Sequence, residues 1–417
     1  MSRYYAYRGA CLFPFEAGCT LPESASPVEE PFSPLVILLM RSGCGSRGVF
    51  ALQAEAELFG PEIPSALLRP RPAAQGSGPS RLPEPVRAIL AREGACALNT
   101  AFARCYDVLA RFLAPQKRPR VMLVGLGDVG GTVLTGLKLL GTELSSIGIF
   151  DPNAAQCARY EMELNQVLPI SDAPLPPVYV CGEDALFDCD ALLFTASRGV
   201  PPLTEKTGDV RMVQFEANRA MLSHYAKKAR GCGFSGLFAQ ISDPVDHLAR
   251  AVFLDSNRDE RGNFDGCGLL PEQVQGYGLG VMRARAQYYA KKAGLDPEAV
   301  RAYGPHGQGL IIANAPGAAY DGALSARLTE QAAAANLRVR ALGFKPYIAP
   351  GLSSACVSVL KTLRGEWHDG AVPMGGAYFG CRTRFTKNGP ALLREPIPPA
   401  LAARLDAAHS ELKEFLL

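Results

Sequence analysis

The chain has 417 residues, 48% of them hydrophobic, so it exceeds one typical domain and can bury at least two cores. Its formal net charge of +3 is too small for this length to indicate a nucleic-acid-binding protein. Its twelve cysteines form no C-x-x-C pair, which argues against a metal site and favours free thiols in a reducing compartment.

Residues 1–90 are rich in turn-forming residues and predict a small N-terminal module of unknown function. Two apolar runs around a Gly-rich turn, Pro34 to Met40 and Gly48 to Leu52, are typical of strands. A Pro/Gly/Arg-rich stretch from Arg69 to Pro79 predicts a loop or linker. The module has neither the apolar core of a secretory signal nor a run long enough to cross a bilayer. We therefore expect a cytoplasmic protein without a membrane partner.

The next part of the chain alternates between helical and strand patterns. From Pro83 to Leu113 apolar residues recur at helical spacing, which predicts one or two amphipathic helices. Another helical pattern runs from Gly130 to Leu140. Buried apolar runs predict four strands, namely Arg120 to Val124, Ser146 to Phe150, Ala191 to Thr195 and Gly236 to Ile241. Strands separated by helices predict a parallel, doubly wound α/β sheet.

The turn Gly125-Leu126-Gly127-Asp128-Val129-Gly130 has the spacing of a dinucleotide-binding fingerprint. It follows a predicted strand and begins a predicted helix, and an acidic residue, Asp151, stands at the end of the next predicted strand. The glycines permit a tight turn, close approach of a pyrophosphate and close helix–strand packing. A carboxylate at Asp151 would accept from ribose hydroxyls and repel a 2′-phosphate, which favours NAD over NADP. The alternative is an ordinary strand–helix turn.

Four further segments come in the order and at about the spacing seen in the lactate/malate dehydrogenase superfamily. They are Ala191 to Ser197, Ile241 to Asp246, Gly278 to Ala284 and Gly304 to Gly307. The chain resembles that family from about Arg120 to about Phe379. The resemblance implies a Rossmann-type doubly wound parallel sheet within residues 91–250 and an α+β substrate domain in residues 251–417.

The resemblance also implies NAD as cofactor, a small-molecule substrate and a homo-oligomer, either a dimer or a tetramer. The residues expected to contact the cofactor are Gly125, Gly127, Asp128, Val129, Gly130, Asp151, Thr195 and Ala196.

The catalytic residues follow from the same resemblance. His306 matches the family's proton-transferring His, and an imidazole suits this role because its unperturbed pKa lies near neutrality. Arg283 matches the Arg that grips the substrate carboxylate, and Arg211 matches a mobile-loop Arg that polarises the substrate carbonyl. Lys345 stands near the end of the substrate pocket. The alternatives are a loop His, solvated arginines and a surface lysine.

Three positions depart from the family pattern. Gly280 replaces the Asp that orients the catalytic His, which would leave an imidazolium without its charged partner. Asp243 replaces an Asn and can only accept hydrogen bonds when ionised. It either supplies the missing carboxylate to His306, meets a cationic substrate group such as an amine, or caps the following helix. Pro202 stands where malate dehydrogenases carry an Arg, which argues against malate as substrate.

Two functional hypotheses result. The first is an NAD-dependent dehydrogenase that moves a hydride between NAD and a small 2-hydroxy, 2-oxo or amino acid, with His306 and Asp243 as the acid/base pair. The second is a catalytically weak NAD-binding sensor or assembly protein, which the loss of the Asp at Gly280 motivates.

Overall fold

A computed structural model of the chain describes residues 4–43, 47–70, 80–114, 117–198 and 210–415, and it describes residues 210–214 by their backbone alone. Most of the predicted linker and Pro202 lie outside the described residues. Within the described ranges, no helix combines the length and hydrophobicity needed to cross a membrane.

The N-terminal module is a six-stranded mixed sheet with helices packed around it. Its strands are β1 (Tyr4–Tyr7), β2 (Ala10–Pro14), β3 (Ser26–Val28), β4 (Val36–Met40), β5 (Val49–Ala51) and β6 (Ala95–Asn99). The helices in this part of the chain are α1 (Pro64–Leu67), α2 (Glu84–Leu90) and α3 (Cys105–Leu113). The strand order is β3-β1-β2-β4-β6-β5, with β2, β4 and β6 parallel.

The two strands predicted around the Gly-rich turn are present as β4 and β5, but they are not neighbours. Strand β6 lies between them, parallel to β4 and antiparallel to β5. This strand falls between α2 and α3, in the segment for which one or two helices were predicted. All five of its residues are buried, so the segment has no apolar/polar alternation that would reveal a strand. The N-terminal sheet therefore continues past residue 90.

The central sheet has nine strands, and its parallel part has the strand order of a Rossmann domain. The parallel strands are β7 (Arg120–Val124), β8 (Ser146–Phe150), β9 (Val178–Val180), β10 (Ala191–Phe194), β11 (Leu237–Gln240) and β12 (Val274–Gly276). The helices are α4 (Asp128–Leu140), α5 (Ala154–Asn165), α6 (Val210–Gly231) and α7 (Val245–Ser256). The order β9-β8-β7-β10-β11-β12 reverses between β7 and β10, which is where such sheets bind ligands. The predicted fold class is confirmed.

The C-terminal part is mixed α and β. Its strands are β13 (Arg301–Tyr303), β14 (Ile311–Ala313), β15 (His368–Met374), β16 (Ala377–Thr386) and β17 (Gly389–Leu392). Its helices are α8 (Leu279–Lys292), α9 (Gly322–Ala333), α10 (Ala335–Ala341), α11 (Val357–Arg364) and α12 (Pro399–Glu414). A π-helical segment, Pro350–Cys356, runs directly into α11. Strand β15 pairs antiparallel with β12, so β15, β16 and β17 extend the central sheet.

A buried carboxylate links the N-terminal module to the central sheet. Glu272, in a 3-10 turn before β12, accepts hydrogen bonds from the backbone N–H of Gly48 at 2.9 Å and of Val49 at 3.0 Å. Burial raises the pKa of Glu272 to about 7, because desolvation outweighs the effect of these donors and of the Arg47 charge. The link is therefore sensitive to protonation of Glu272.

Replacing this carboxyl with the Glu272→Gln substitution tests that sensitivity. Since the pKa of Glu272 is higher in the folded protein than the ordinary 4.5, its stabilising contribution is complete below 4.5 and is lost as the pH rises through about 7. We expect the free energy of unfolding of the wild type, relative to that of the variant, to fall over this interval by on the order of 3 kcal/mol at most. Urea denaturation at several pH values measures this difference. A difference that is constant with pH would contradict the prediction.

Candidate active site

The predicted cofactor turn joins β7 to α4 and lies directly against the end of β10. Gly125 has a φ of +94°, and a Cβ atom there would lie 2.6 Å from the backbone nitrogen of Ala196. A Cβ atom on Gly130 would overlap the carbonyl oxygen of Gly125. Thr195 donates from Oγ1 to that same oxygen at 2.7 Å. Only glycine therefore fits at positions 125 and 130, as the fingerprint requires.

The middle glycine of the turn faces open space. Apart from Gly127 itself and its two chain neighbours, no described residue has an atom within 4 Å of where a Cβ atom on Gly127 would lie. Gly127 caps the N-terminus of α4, where the first N–H groups have no partners within the helix and the helix dipole is positive. The turn therefore offers both the space and the donors that a pyrophosphate needs, and its residues fit a dinucleotide.

Asp151 follows β8 and holds the turn in shape. Its Oδ2 accepts a hydrogen bond from the backbone N–H of Leu126 at 2.8 Å, and its Oδ1 accepts one from Asn153 at 2.9 Å. A carboxylate oxygen can accept more than one hydrogen bond, so both oxygens can still accept from a hydroxyl group. Recognition of the ribose by Asp151 stays a prediction.

Two of the predicted site residues form an ion pair beside this turn. Lys345 Nζ lies 3.0 Å from Oδ2 of Asp128, the first residue of α4. Both side chains are exposed. The ion pair places Lys345 at the cofactor turn, whereas the sequence-based prediction assigned it to the substrate pocket. Val129 packs against the apolar core beneath α4.

His306 and Asp243 meet beside the carboxyl ends of the parallel strands. His306 Nε2 lies 3.7 Å from Oδ1 of Asp243. This distance is too long for a hydrogen bond, and the contact becomes an ion pair when the imidazole is protonated. His306 is mostly buried, whereas the Asp243 carboxylate is exposed. The structure thus brings together the two residues predicted to form the acid/base pair.

Hydrogen bonds tie Asp243 to the end of β10, next to the cofactor turn. The buried side chain of Asn218 donates to the backbone oxygen of Asp243 at 2.8 Å and accepts from the backbone N–H of Arg198 at 2.9 Å. Ser242 Oγ donates to the carbonyl oxygen of Ala196 at 2.6 Å. Sequence reasoning gave Asn218 no role. The one sign of such a role was an amide side chain within a helical segment, now α6.

The loop that carries His306 is held by a second carboxylate. Asp246 Oδ2 accepts a hydrogen bond from the backbone N–H of His306 at 2.8 Å. Burial raises the pKa of Asp246 to about 6, because desolvation outweighs the effect of this donor and of the His306 charge. Asp246 therefore positions the loop. Sequence reasoning quoted this residue within a motif but gave it no function.

A carboxylate at position 280 would not face His306 in this fold. A Cβ atom on Gly280 would lie 2.5 Å from the carbonyl oxygen of Ser353 and 2.8 Å from Oγ of Ser358, so position 280 faces the π-helical segment. The His306 ring instead lies against Gly278, whose Cβ atom would be 2.6 Å from Cγ of the ring. His306 Nδ1 is buried and has no hydrogen-bond partner among the described residues. The Nδ1 side of the ring therefore has no orienting carboxylate in the described part of the chain.

Arg283 makes contacts within the protein. Its Nη1 lies 3.5 Å from the buried carboxylate of Asp369, and its Nη2 lies 3.5 Å from the carboxylate of Glu298. Its Nε donates to the carbonyl oxygen of Val300 at 3.4 Å. The guanidinium group is thus occupied by internal partners, and its role in gripping a substrate stays a prediction.

Arg285 is a residue that sequence reasoning missed. Two positions along α8 rotate a side chain by roughly 200°, so Arg285 projects from the opposite side of the helix to Arg283. It is half-buried, burial lowers its pKa, and it lies within electrostatic reach of Asp243. Its Nη1 lies 3.6 Å from the sulfur of Met282, and no carboxylate of the described residues is in ion-pair contact with it. The sequence signal was a second arginine two positions after Arg283.

The other arginine predicted for the site is Arg211. Its side chain lies outside the described residues.

No known protein-family model matches the chain. The chain is 30% identical over 206 residues to an L-lactate dehydrogenase of Mesomycoplasma hyopneumoniae. The aligned region covers 48% of this chain and 58% of that enzyme, so the chain spans less than two thirds of the length of this relative.

Solved structures share the fold at lower sequence identity. A lactate dehydrogenase from a Medee basin deep-sea metagenome library superposes with a TM-score of 0.58 and 17% identity, over 72% of this chain and 98% of that chain. The malate dehydrogenase of Picrophilus torridus superposes with a TM-score of 0.56 and 15% identity, over 71% and 96% of the two chains. About half of the chain is thus similar in sequence to a lactate dehydrogenase, and its fold is that of lactate and malate dehydrogenases.

Proposed function

We propose that this protein is an NAD-dependent oxidoreductase that acts on a small 2-hydroxy/2-oxo or amino acid other than malate. The observation that carries the proposal is the contact between His306 and Asp243 beside a turn that fits a dinucleotide. NAD, when bound, supplies the two-electron redox chemistry. We also propose that the chain is a divergent member of the lactate/malate dehydrogenase superfamily. As in that family, we propose a cytoplasmic location and a homo-oligomer, either a dimer or a tetramer.

The cofactor-binding part of the proposal rests on the turn between β7 and α4. The open space at Gly127 and the N–H groups at the start of α4 would receive the pyrophosphate. Asp151 would accept from the ribose hydroxyls, and Thr195 and Ala196 would line the cofactor site where β10 ends.

The proton-transfer part rests on His306. Its Nε2 would hold or release the proton that moves to or from the substrate oxygen or nitrogen. The Asp243 carboxylate stabilises the charged imidazole from the same side, in place of a carboxylate at Nδ1. It would also attract a protonated amine, so amino acids stay in the substrate class together with hydroxy acids.

For the substrate carboxylate we propose Arg285 rather than Arg283. The Arg283 guanidinium faces Asp369 and Glu298, whereas Arg285 is half-buried near Asp243 without a described carboxylate partner. A desolvated guanidinium without an internal counter-ion is well suited to bind an anionic ligand.

A second candidate function is a catalytically weak NAD-binding sensor or assembly protein. The observation that favours it is the buried His306 Nδ1, which has no described hydrogen-bond partner that would orient the ring. Calorimetric titration with NAD, run beside turnover assays on a broad panel of hydroxy and amino acids, separates the two functions. Tight NAD binding without turnover on any substrate would favour the sensor.

We expect Gly127→Val to abolish NAD binding without unfolding the protein, because the side chain would fill the space that the pyrophosphate needs. Calorimetry measures the binding and thermal denaturation checks the fold. Gly322→Val is the matched control, since Gly322 also stands at a helix N-terminus in open space. Normal NAD binding by Gly127→Val would contradict the cofactor assignment.

We expect Asp243→Asn to lower turnover by on the order of a hundredfold, because an amide does not stabilise the charged imidazole. The acidic limb of the pH profile of kcat should move, while NAD affinity should barely change. Full activity of the variant with an unmoved acidic limb would remove Asp243 from the acid/base pair.

We expect Arg285→Gln to lower kcat/KM for an anionic substrate by about a hundredfold, mainly through KM, since a charge-assisted contact is lost. Arg285→Lys should lose less, because it keeps the charge but not the planar fork. Steady-state kinetics of both variants are compared with those of Arg283→Gln. A rise in KM for Arg283→Gln alone would restore the sequence-based assignment of Arg283.

A further inference from the structure

The start of α4 carries a pair of opposite charges. Asp128 is the first residue of α4, directly after the open Gly127, and its carboxylate lies 3.0 Å from Lys345 Nζ. Lys345 reaches this point from the segment that follows α10. A cation from the distant C-terminal part of the chain is therefore held at the cofactor turn.

The Asp128 carboxylate opposes an anionic ligand at this place. A negative side chain in the first turn of a helix interacts favourably with the helix dipole, but it also occupies the region that attracts phosphate groups. A pyrophosphate entering the space at Gly127 would bring further negative charge next to this carboxylate. A positive charge near Asp128 would offset this repulsion and strengthen the binding of a dinucleotide.

Lys345 is well placed to supply that charge. Its side chain is 80% exposed, so its ammonium group can move to a new partner without repacking of the core. Residues 331–365 contain five lysines and arginines and no Asp or Glu, so no acid close to Lys345 in the sequence competes for it.

We propose that Lys345 determines cofactor affinity by exchanging its contact with Asp128 for a direct contact with the pyrophosphate of the bound dinucleotide. The proposal rests on the NAD binding proposed above. Lys345 then holds the phosphates rather than the substrate, and it couples the segment after α10 to cofactor occupancy.

The test is a calorimetric titration of the full-length chain with NAD, using the wild type, Lys345→Met, Asp128→Asn and the double variant. We expect Lys345→Met to weaken NAD binding about tenfold, the size of one exposed charge-assisted hydrogen bond. We expect Asp128→Asn to tighten it about threefold, because the opposing charge is removed. The loss caused by Lys345→Met should persist in the Asp128→Asn background, since the contact with phosphate is direct.

The matched control is Lys291→Met, which removes an exposed positive charge from the last turn of α8 and should leave NAD affinity unchanged. ADP-ribose, which keeps the pyrophosphate but lacks nicotinamide, should show the same loss with Lys345→Met. Unchanged affinity of Lys345→Met, or a loss that disappears in the double variant, would overturn the proposal while leaving NAD binding intact. A wild type that binds neither NAD nor ADP-ribose would overturn the proposed function itself.

Discussion

The tight packing of the cofactor turn against the end of β10 is the constraint on which the rest of the site depends. Side chains at Gly125 and Gly130 would collide with Ala196 and with the turn itself, so β7, α4 and β10 can meet this closely only when both positions are glycine. The residues after β10 are thereby fixed beside the turn, and the hydrogen bond from Ser242 to Ala196 brings the end of β11 to the same place. Asp243, the next residue, is thus held near the cofactor turn.

The second determinant of the site is the π-helical segment Pro350–Cys356, which packs on the start of α8. Ser354 Oγ donates to the carbonyl oxygen of Gly278 at 2.7 Å and accepts from the N–H of Val281 at 2.8 Å, so the segment is fastened to the helix. The Ser353 carbonyl then occupies the space that a side chain at position 280 would need. This packing leaves no room for a carboxylate at position 280. The carboxylate that lies near His306 is that of Asp243, which approaches Nε2 from the end of β11.

The N-terminal module is integrated with the rest of the fold rather than tethered to it. Besides Glu272, the buried carboxylate of Glu57 pairs with Arg47 from the module at 3.5 Å and with Arg394 from the C-terminal part at 2.6 Å. Buried charges of this kind are tolerated only when their partners stay in place, so separating the two parts would leave uncompensated charges. Buried ion pairs and hydrogen bonds therefore fasten the module to the central sheet and to the C-terminal part.

The sequence by itself determined the features that depend on neighbours along the chain. These are the glycine turn with Asp151 and the alternation of strands and helices. The resemblance to a known family added His306 and Asp243 as candidates for one site. Strand β6 was missed because a fully buried run shows no alternation, and β9 and β12 were missed because runs of three residues are too short to show one. Only the tertiary structure decided which partners the side chains face. It places Arg283 against Asp369, the His306 ring against Gly278 and Lys345 against Asp128. The physical reason is that these choices depend on the rotation of α8 and on the packing of segments far apart in sequence, which no local pattern of residues encodes.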